Sequence, residues 1–306
     1  MELRHLRYFI AVAEELNFRH AADRLHVAQP ALSRQVRDLE DEVGERLFDR
    51  NRRRVLLTDA GRALLLDARG VLASAEAALK TAREVGRGVR GTLRIGNAGR
   101  LSAPFLPASL AAFRARFPLV DVELIELDPE DQNAGLLAGT IQVAFQGLSR
   151  LLPVDPRLTS RPLMHSEVVV VVPSRHRLAK QQQIRLADLA DETFLMFRPR
   201  EGSAYYERWI RTSCERIGGF TPKLRWPAQP NWDALFGMVA AGGGIGLFPL
   251  IPTDEPRGWV GFVAIPFAEP RPDFHVAVVW NSDNRSVILR NYLEMLGSAQ
   301  PPPVAQ

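Results

Sequence analysis

The sequence predicts an α/β chain that opens with an all-α-rich unit, passes through one long helix and continues as alternating strands and helices. Three observations carry this expectation. Apolar residues recur at three- and four-residue spacing through residues 3–39, the period of amphipathic helices. From residue 59 to 86 the chain lacks proline and keeps a seven-residue repeat of Leu, Val and Ala. After the glycine-rich break Gly86-Arg87-Gly88-Val89-Arg90-Gly91, β-branched runs alternate with helical patterns, as in α/β domains. At 306 residues the chain exceeds one hydrophobic core, and 46% apolar with 24% charged residues excludes a disordered or collagen-like class.

The first helix places Leu3, Leu6, Phe9, Ile10 and Ala13 on one face. Asn17 then suits the N-cap of a second helix over 18–25, where Ala21 and Ala22 permit close packing. His26-Val27-Ala28 turns, and Gln29-Pro30 opens a third helix, since proline is tolerated in the first turn. Ala31, Leu32, Val36 and Leu39 are expected to face inward, leaving Gln29, Ser33, Arg34 and Arg37 outward. Those side chains suit a DNA groove: Arg can bond guanine O6 and N7, and Gln can bond adenine N6 and N7. Gly44 is the expected helix stop, with Leu47 and Phe48 buried beneath a hairpin over Leu47–Leu57. Arg46, Arg50, Arg52, Arg53 and Arg54 make that hairpin basic and able to meet phosphate, although such a run also reads as a solvated loop. Two short helices, a tight turn and a basic hairpin form a winged helix-turn-helix. The warrant is this order rather than charge: the net charge is +4, and residues 1–90 hold 17 basic against 14 acidic side chains.

Thr58 caps the long helix, whose Leu65, Ala68, Leu72, Ala75, Leu79 and Ala82 form a heptad seam flanked by Leu64, Val71, Ala78 and Val85. A dimer through this seam would present two recognition helices to successive major grooves; the alternative is packing against the chain's own domains.

Beyond the glycine break, strands are expected at 92–96, 120–127, 141–145, 167–172, 193–197, 245–249, 260–265 and 274–280. Helices are expected at 104–117, 130–139, 186–190, 203–217, 231–241 and 285–297, and the proline-rich residues 300–306 as a disordered tail. Gly242-Gly243-Gly244 follow a helix and precede a strand, the reverse of a dinucleotide fingerprint. A helix N-terminus near Ser102 would offer amides to an anion. The histidines His5, His20, His26, His165, His176 and His275 lack metal-ligand spacing, and neither a G-x-S-x-G elbow nor a Walker motif occurs, so an enzyme and a bound cofactor are not expected. A lone Cys214 and the absence of a leader or a long apolar run point to a cytoplasmic protein. A DNA binder that senses nothing remains the competing reading.

The run AADRLHVAQPALSRQVRDLEDEVGERLFDRNRRRVLLTDAG resembles the LysR-type transcriptional regulator family, whose pattern keeps the Ala pair, a Q-P/S-A-L/V-S segment, G-x-x-L-F-x-R and T-x-A-G in this order. The resemblance implies that Gln29, Pro30, Ser33 and Arg34 contact the groove and that Arg50 to Arg54 lie in the wing near phosphate. It implies residues 1–58 as the DNA-binding domain, 59–90 as dimerisation helix and hinge, and 91–299 as an effector-binding domain like a periplasmic binding protein. Within the last, subdomain I spans 91–162 and 267–299, and subdomain II spans 163–266. Ala241-Gly242-Gly243-Gly244-Ile245 through Pro249 fits the family's A-G-x-G-I-x-x-x-P segment.

An effector, a small carboxylate or other anion, is expected between the subdomains, near Asn97, Ala98, Arg100, Leu101 and Ser102. Arg100 stands where many relatives carry a hydroxyl, so either Ser102 substitutes, or the Arg100 guanidinium grips a carboxylate, or it points to solvent. Across the cleft the resemblance places Pro129, the loop Arg200-Glu201-Gly202-Ser203, and Gln146, Gln229 and Phe267. The implied partners are operator DNA, a small effector, a second copy of the chain with tetramers beyond it, and RNA polymerase.

Overall fold

The computed structural model describes residues 1–51, 54–97, 99–196, 205–226, 232–251 and 260–298; the tail 300–306 lies outside them. The chain divides into two compact units, Met1–Gly86 and Arg87–Gln306.

In the first unit, α1 (Leu3–Glu15) buries Leu6, Phe9 and Val12 and stops at Leu16, a left-handed residue with φ 47°. Asn17 Oδ1 then accepts the amides of Arg19 and His20 (2.9 and 3.2 Å), starting α2 (Phe18–Leu25). His26 is the second left-handed stop, φ 49°, and α3 (Gln29–Val43) follows with Pro30 in its first turn and Gly44 as its C-cap. Leu32, Val36 and Leu39 are fully buried. Ala31, expected inward, is exposed instead, because 32, 36 and 39 define the buried stripe and Ala31 sits about 100° off it. Strands β1 (Phe48–Asn51) and β2 (Arg54–Leu57) pair antiparallel, Phe48 opposite Leu57. Glu40 Oε1 fastens this hairpin to α3 by accepting the amides of Leu47 and Phe48 (3.0 and 3.1 Å), and the Phe48 ring lies 5.4 Å from Phe9.

Helix α4 (Asp59–Gly86) starts where the Thr58 hydroxyl donates to Arg46 O (2.7 Å) and accepts the Gly61 amide (2.9 Å). Gly61 is required here: a Cβ would sit 2.2 Å from Leu47 O. The seam is divided along its length. Leu64, Leu65, Ala68 and Leu72 pack into the core formed by α1, α2, α3 and the hairpin, so that half serves the unit's own fold. Farther along, Val71, Leu79 and Val85 are exposed, as are Ala78 and Ala82.

The second unit contains two sheets. The larger has the order β4-β3-β5-β12-β6. Within it β3 (Arg90–Asn97) is parallel to β4 (Leu119–Glu126) and β5 (Val143–Leu148), and β12 (His275–Asn281) is antiparallel to β5 and β6 (Leu158–His165). One face buries Leu93, Ile95 and Phe145 against Phe113 of α5 (Leu106–Arg116) and Tyr292 of α9 (Val287–Ser298). On the other, α6 (Pro129–Ala138) covers Ile141 and Ala144 with Leu136. Strand β6 is not expected from the sequence. It lies at the sheet edge, carries Pro162 beside a register shift opposite Val276 and Ala277, and so escapes the alternating β-branched pattern of a paired interior strand.

In the smaller sheet β7 (Val168–Pro173) lies between β10 (Gly246–Pro249) and β11 (Phe262–Pro266), both antiparallel to it. Val168 to Val172 are buried on both faces, which is why that segment reads as an unbroken apolar run. It packs with β8 (Thr193–Leu195), α7 (Tyr205–Ser213), which ends in a π turn at Cys214–Gly218, and α8 (Trp232–Ala240). A short β9 (Lys223–Arg225) pairs parallel with β8; it too is not expected from the sequence. The glycine run closes α8 and lets the backbone meet β8, since a Cβ on Gly244 would lie 2.5 Å from Thr193 O. The chain crosses between the sheets at Ser166–Glu167 and returns through Phe267–Phe274, and the two crossings are joined by Ser166 N donating to Phe274 O (3.0 Å).

Candidate functional site

The outward face of α3 brings together the residues expected there. Gln29, Pro30, Arg34 and Arg37 are exposed and Ser33 is half-buried; Gln29 Nε2 donates to Ser33 Oγ at 3.4 Å, one turn apart. Among the described residues no carboxylate pairs with Arg34 or Arg37, so both guanidiniums keep their donors for an outside acceptor. Arg50 lies opposite Val55 in β1, and Arg54 is exposed at the start of β2 opposite Asn51. Arg52 and Arg53 lie outside the described residues.

A second constellation forms at the carboxyl ends of the parallel strands, where ligands of open α/β sheets bind. Asn97 ends β3, and its carbonyl accepts the Leu127 amide (3.1 Å) from the end of β4. The buried Ser102 hydroxyl bonds to Asn97 Oδ1 and lies 3.0 Å from Gly99 O. This corrects the expected anion-binding helix start: Ser102 closes a 3-10 turn over Gly99–Ser102, α5 begins only at Leu106, and the Ser102 side chain is engaged within the turn. Pro104 and Pro107 remove two amides from that stretch, which delays the helix. Leu101 is half-buried against the core of the smaller sheet. Arg100 has its backbone in the turn, and Ala98, Arg200, Glu201, Gly202, Ser203 and Gln229 lie outside the described residues.

Pro129 forms the first turn of α6, and Gln146 on β5 is buried, its Nε2 donating to Asn133 Oδ1 (2.8 Å) on that helix. Phe267 is brought elsewhere: it is 3% exposed, within the core around Trp209 and Val168. Sequence reasoning missed Gln132, which is fully buried. Its Nε2 donates to Leu127 O (2.9 Å), and its Oε1 has no partner among the described residues. The signal was weak, since Gln132 follows Glu130 and Asp131 in a polar first half of α6 and nothing local marks it as buried. Also missed was Tyr205, whose hydroxyl accepts the Ser149 amide (2.9 Å) and whose burial pushes its pKa up to about 12. Cys214, buried in the π turn, is likewise pushed up to about 12 by burial. Among the described residues no group of His, Cys, Asp and Glu could hold a metal, and no helix is long and apolar enough to cross a membrane.

Comparison with known proteins identifies the two regions in which these constellations lie. Residues 3–62 match the profile of the bacterial regulatory helix-turn-helix protein, lysR family, and residues 86–301 match the LysR substrate binding domain. An uncharacterized HTH-type transcriptional regulator YnfL of Escherichia coli is 35% identical over 302 residues, covering 95% of this chain and 96% of that protein. A hydrogen peroxide-inducible genes activator, also from Escherichia coli, is 30% identical over 299 residues, covering 98% and 94%. The crystal structure of full-length CbnR complexed with its target DNA superposes with a TM-score of 0.72 at 28% identity, covering 97% of this chain and 99% of that one. Regulators of this kind bind operator DNA and small-molecule effectors and form oligomers. The chain therefore belongs to the LysR-type transcriptional regulators: it is a DNA-binding regulator with an effector-binding domain, and not an enzyme.

Proposed function

We propose that α3 reads an operator through Gln29, Ser33, Arg34 and Arg37, with Pro30 setting the start of the helix, while Arg50, Arg52, Arg53 and Arg54 hold phosphate from the wing. The reading is carried by one observation: Arg34 and Arg37 are exposed beside Gln29 with no carboxylate of the described chain on them. Likeness to CbnR bound to its target DNA supports it. The effector is a small carboxylate or comparable anion bound between the two sheets, the larger being subdomain I and the smaller subdomain II. Its anionic end belongs at the turn Gly99–Ser102 with Arg100, because Glu130 and Asp131 already occupy the first turn of α6 and repel a second negative charge. Asn97, Leu101, Ser102, Pro129 and Gln146 are the residues proposed to contact it, and the family resemblance adds Ala98, Arg200 to Ser203 and Gln229, which lie outside the described residues. Effector binding changes the population of subdomain angles and thereby the spacing of two recognition helices, a change that RNA polymerase would read at the promoter.

The test is thermal unfolding of the full-length protein against a panel of small acids, followed by footprinting. A ligand at 100 times its Kd adds about 2.7 kcal/mol of stability. Saturable stabilisation by an acid that also alters the footprint supports the reading; a panel without effect, with footprints unaltered, leaves a regulator that binds DNA and senses no acid. A two-thiol redox response is not expected of this chain, because its single cysteine is buried and has no second thiol to pair with.

A further inference from the structure

Four hydrogen bonds converge where the returning crossover meets the end of β5. The Asp273 carboxylate accepts the Ser149 hydroxyl on Oδ1 and the Arg150 amide on Oδ2, both at 2.8 Å. Its own carbonyl accepts the Trp209 indole N–H at 3.0 Å, and the Tyr205 hydroxyl accepts the Ser149 amide at 2.9 Å. Ser149 is 3% and Trp209 0% exposed, so the bonds of the Ser149 and Trp209 donors are made away from water, where an unmade partner is costly, while the half-buried Asp273 carboxylate meets the Arg150 amide at the exposed edge.

The two aromatic residues stand one turn apart on α7 and enter different cores. Tyr205 joins Leu136, Leu148 and Ala277 beneath α6 of the larger sheet. Trp209 joins Val168 and Ile210 in the smaller one, 5.1 Å from the Phe274 ring. At the outer rim the same helix pairs Arg208 with Glu130 of α6 at 3.5 Å. Helix α7 thus spans both sheets, and Asp273 ties it to β5 through a segment that itself runs between them.

We propose that Asp273, Ser149 and Tyr205 form a latch that fixes the angle between the two lobes, making them positioning residues for the regulator's response. The proposal uses the two-lobe division and no property of the effector. Without the carboxylate, the Arg150 amide and the Ser149 hydroxyl lose their acceptor, and the junction relaxes to a wider range of angles. A ligand acting on lobe angle then works against this latch, because it shifts the population only by its differential affinity for the open and latched states.

The test is a spin-label distance measurement on the full-length chain carrying Asp121→Cys on β4 and Lys180→Cys in the smaller lobe, both exposed positions, diluted with unlabelled chain to suppress distances between copies. Cys214 is buried and stays unlabelled. The parent should give one narrow distance. Asp273→Ala and Ser149→Ala should broaden it or add a second population, with Tyr205→Phe giving a smaller change because the ring stays in place. Melting profiles that stay cooperative separate a released latch from unfolding. If Asp273→Ala does not fold, Tyr205→Phe and Asp273→Asn decide the question. Asparagine can still accept the Arg150 amide on Oδ1 and donate its Nδ2 to the Ser149 hydroxyl, but without the charge that strengthens both bonds, so an intermediate distribution is expected. Distances in the folded variants that match the parent overturn the proposal, as does a parent that is already broad. None of these outcomes depends on whether an acid binds.

Discussion

In the proposed reading of DNA, Arg34 and Arg52 stand for two kinds of contact. A side chain that reads base edges discriminates between sequences, whereas one on phosphate does not. Arg34→Ala should therefore cost about 1–3 kcal/mol on the operator and little on unrelated DNA, while Arg52→Ala should weaken both alike and reduce the salt slope by roughly one. Binding titrations at several salt concentrations check this; the reverse pattern would exchange the roles of helix and wing. Glu14 gives a residue-level prediction for stability. Arg69 and Arg24 bond its two oxygens at 2.8 and 2.9 Å and hold its carboxyl below the ordinary value of 4.5. A depressed carboxylate pKa contributes stability above the unfolded value, and that contribution is lost as pH falls through the folded one. Glu14→Gln should thus cost roughly 0.5–1 kcal/mol at neutral pH, the side chain being about one-third exposed, and converge with the parent in denaturation at acidic pH. Equal loss at both pH values would assign the effect to packing. Cys214, with its thiol buried and its pKa pushed up, should not react with a thiol reagent until the chain unfolds; labelling in the native state would contradict the burial.

At the scale of elements, what was legible is what local chemistry decides. Asn17, Pro30, Gly44 and Thr58 start or stop helices through bonds and dihedrals within a few positions, and each does so in the structure. Strand β6 was not legible because its pairing partner β12 lies more than a hundred residues away and its edge position tolerates Pro162. The helix expected over 104–117 is present as Leu106–Arg116, but its N-terminus, expected near Ser102, is set back by two prolines whose joint effect the apolar spacing does not reveal. Much of the second site was hidden for the same reason as β6: Ser149 and Asp273 are 124 positions apart, and Gln132 gains significance only beneath β3. The start of α4 offers a test in which local preference and packing disagree. Alanine is the better helix former by about 1 kcal/mol, yet Gly61→Ala should lower the Tm, because its Cβ would fall 2.2 Å from Leu47 O and displace the hairpin. Thr58→Ala removes a cap and should cost about 1–2 kcal/mol. If calorimetry instead finds Gly61→Ala stabilising, α4 and the hairpin are not packed this closely.

At the scale of the whole molecule, the heptad pattern of α4 serves the first unit's own core over its first half, and pairing with a second copy is the use proposed for the rest; periodicity alone could not divide them. Leu64, Leu65, Ala68 and Leu72 are taken by the first unit's own core, so a partner helix must use what lies beyond. Leu79, Val71 and Val85 are 54%, 43% and 53% exposed, and with Ala78 and Ala82 they make one continuous stripe at helical spacing. Leu66 is more exposed still, at 75%, but about 140° around the helix from Val71, and so lies off the stripe. Exposure by itself would single out Leu66; position on the stripe singles out Leu79. A carboxylate at Leu79 would be buried without a partner in a paired state and left in water in the single chain. Leu79→Glu should therefore weaken self-association by at least ~10-fold, about 1.4 kcal/mol, with the domain melting unchanged, and Leu66→Glu should leave association intact. Sedimentation over a micromolar concentration series at physiological salt measures both. A parent that stays monomeric would remove the paired reading head altogether, and loss of association in Leu66→Glu alone would move the partner to the opposite side of α4.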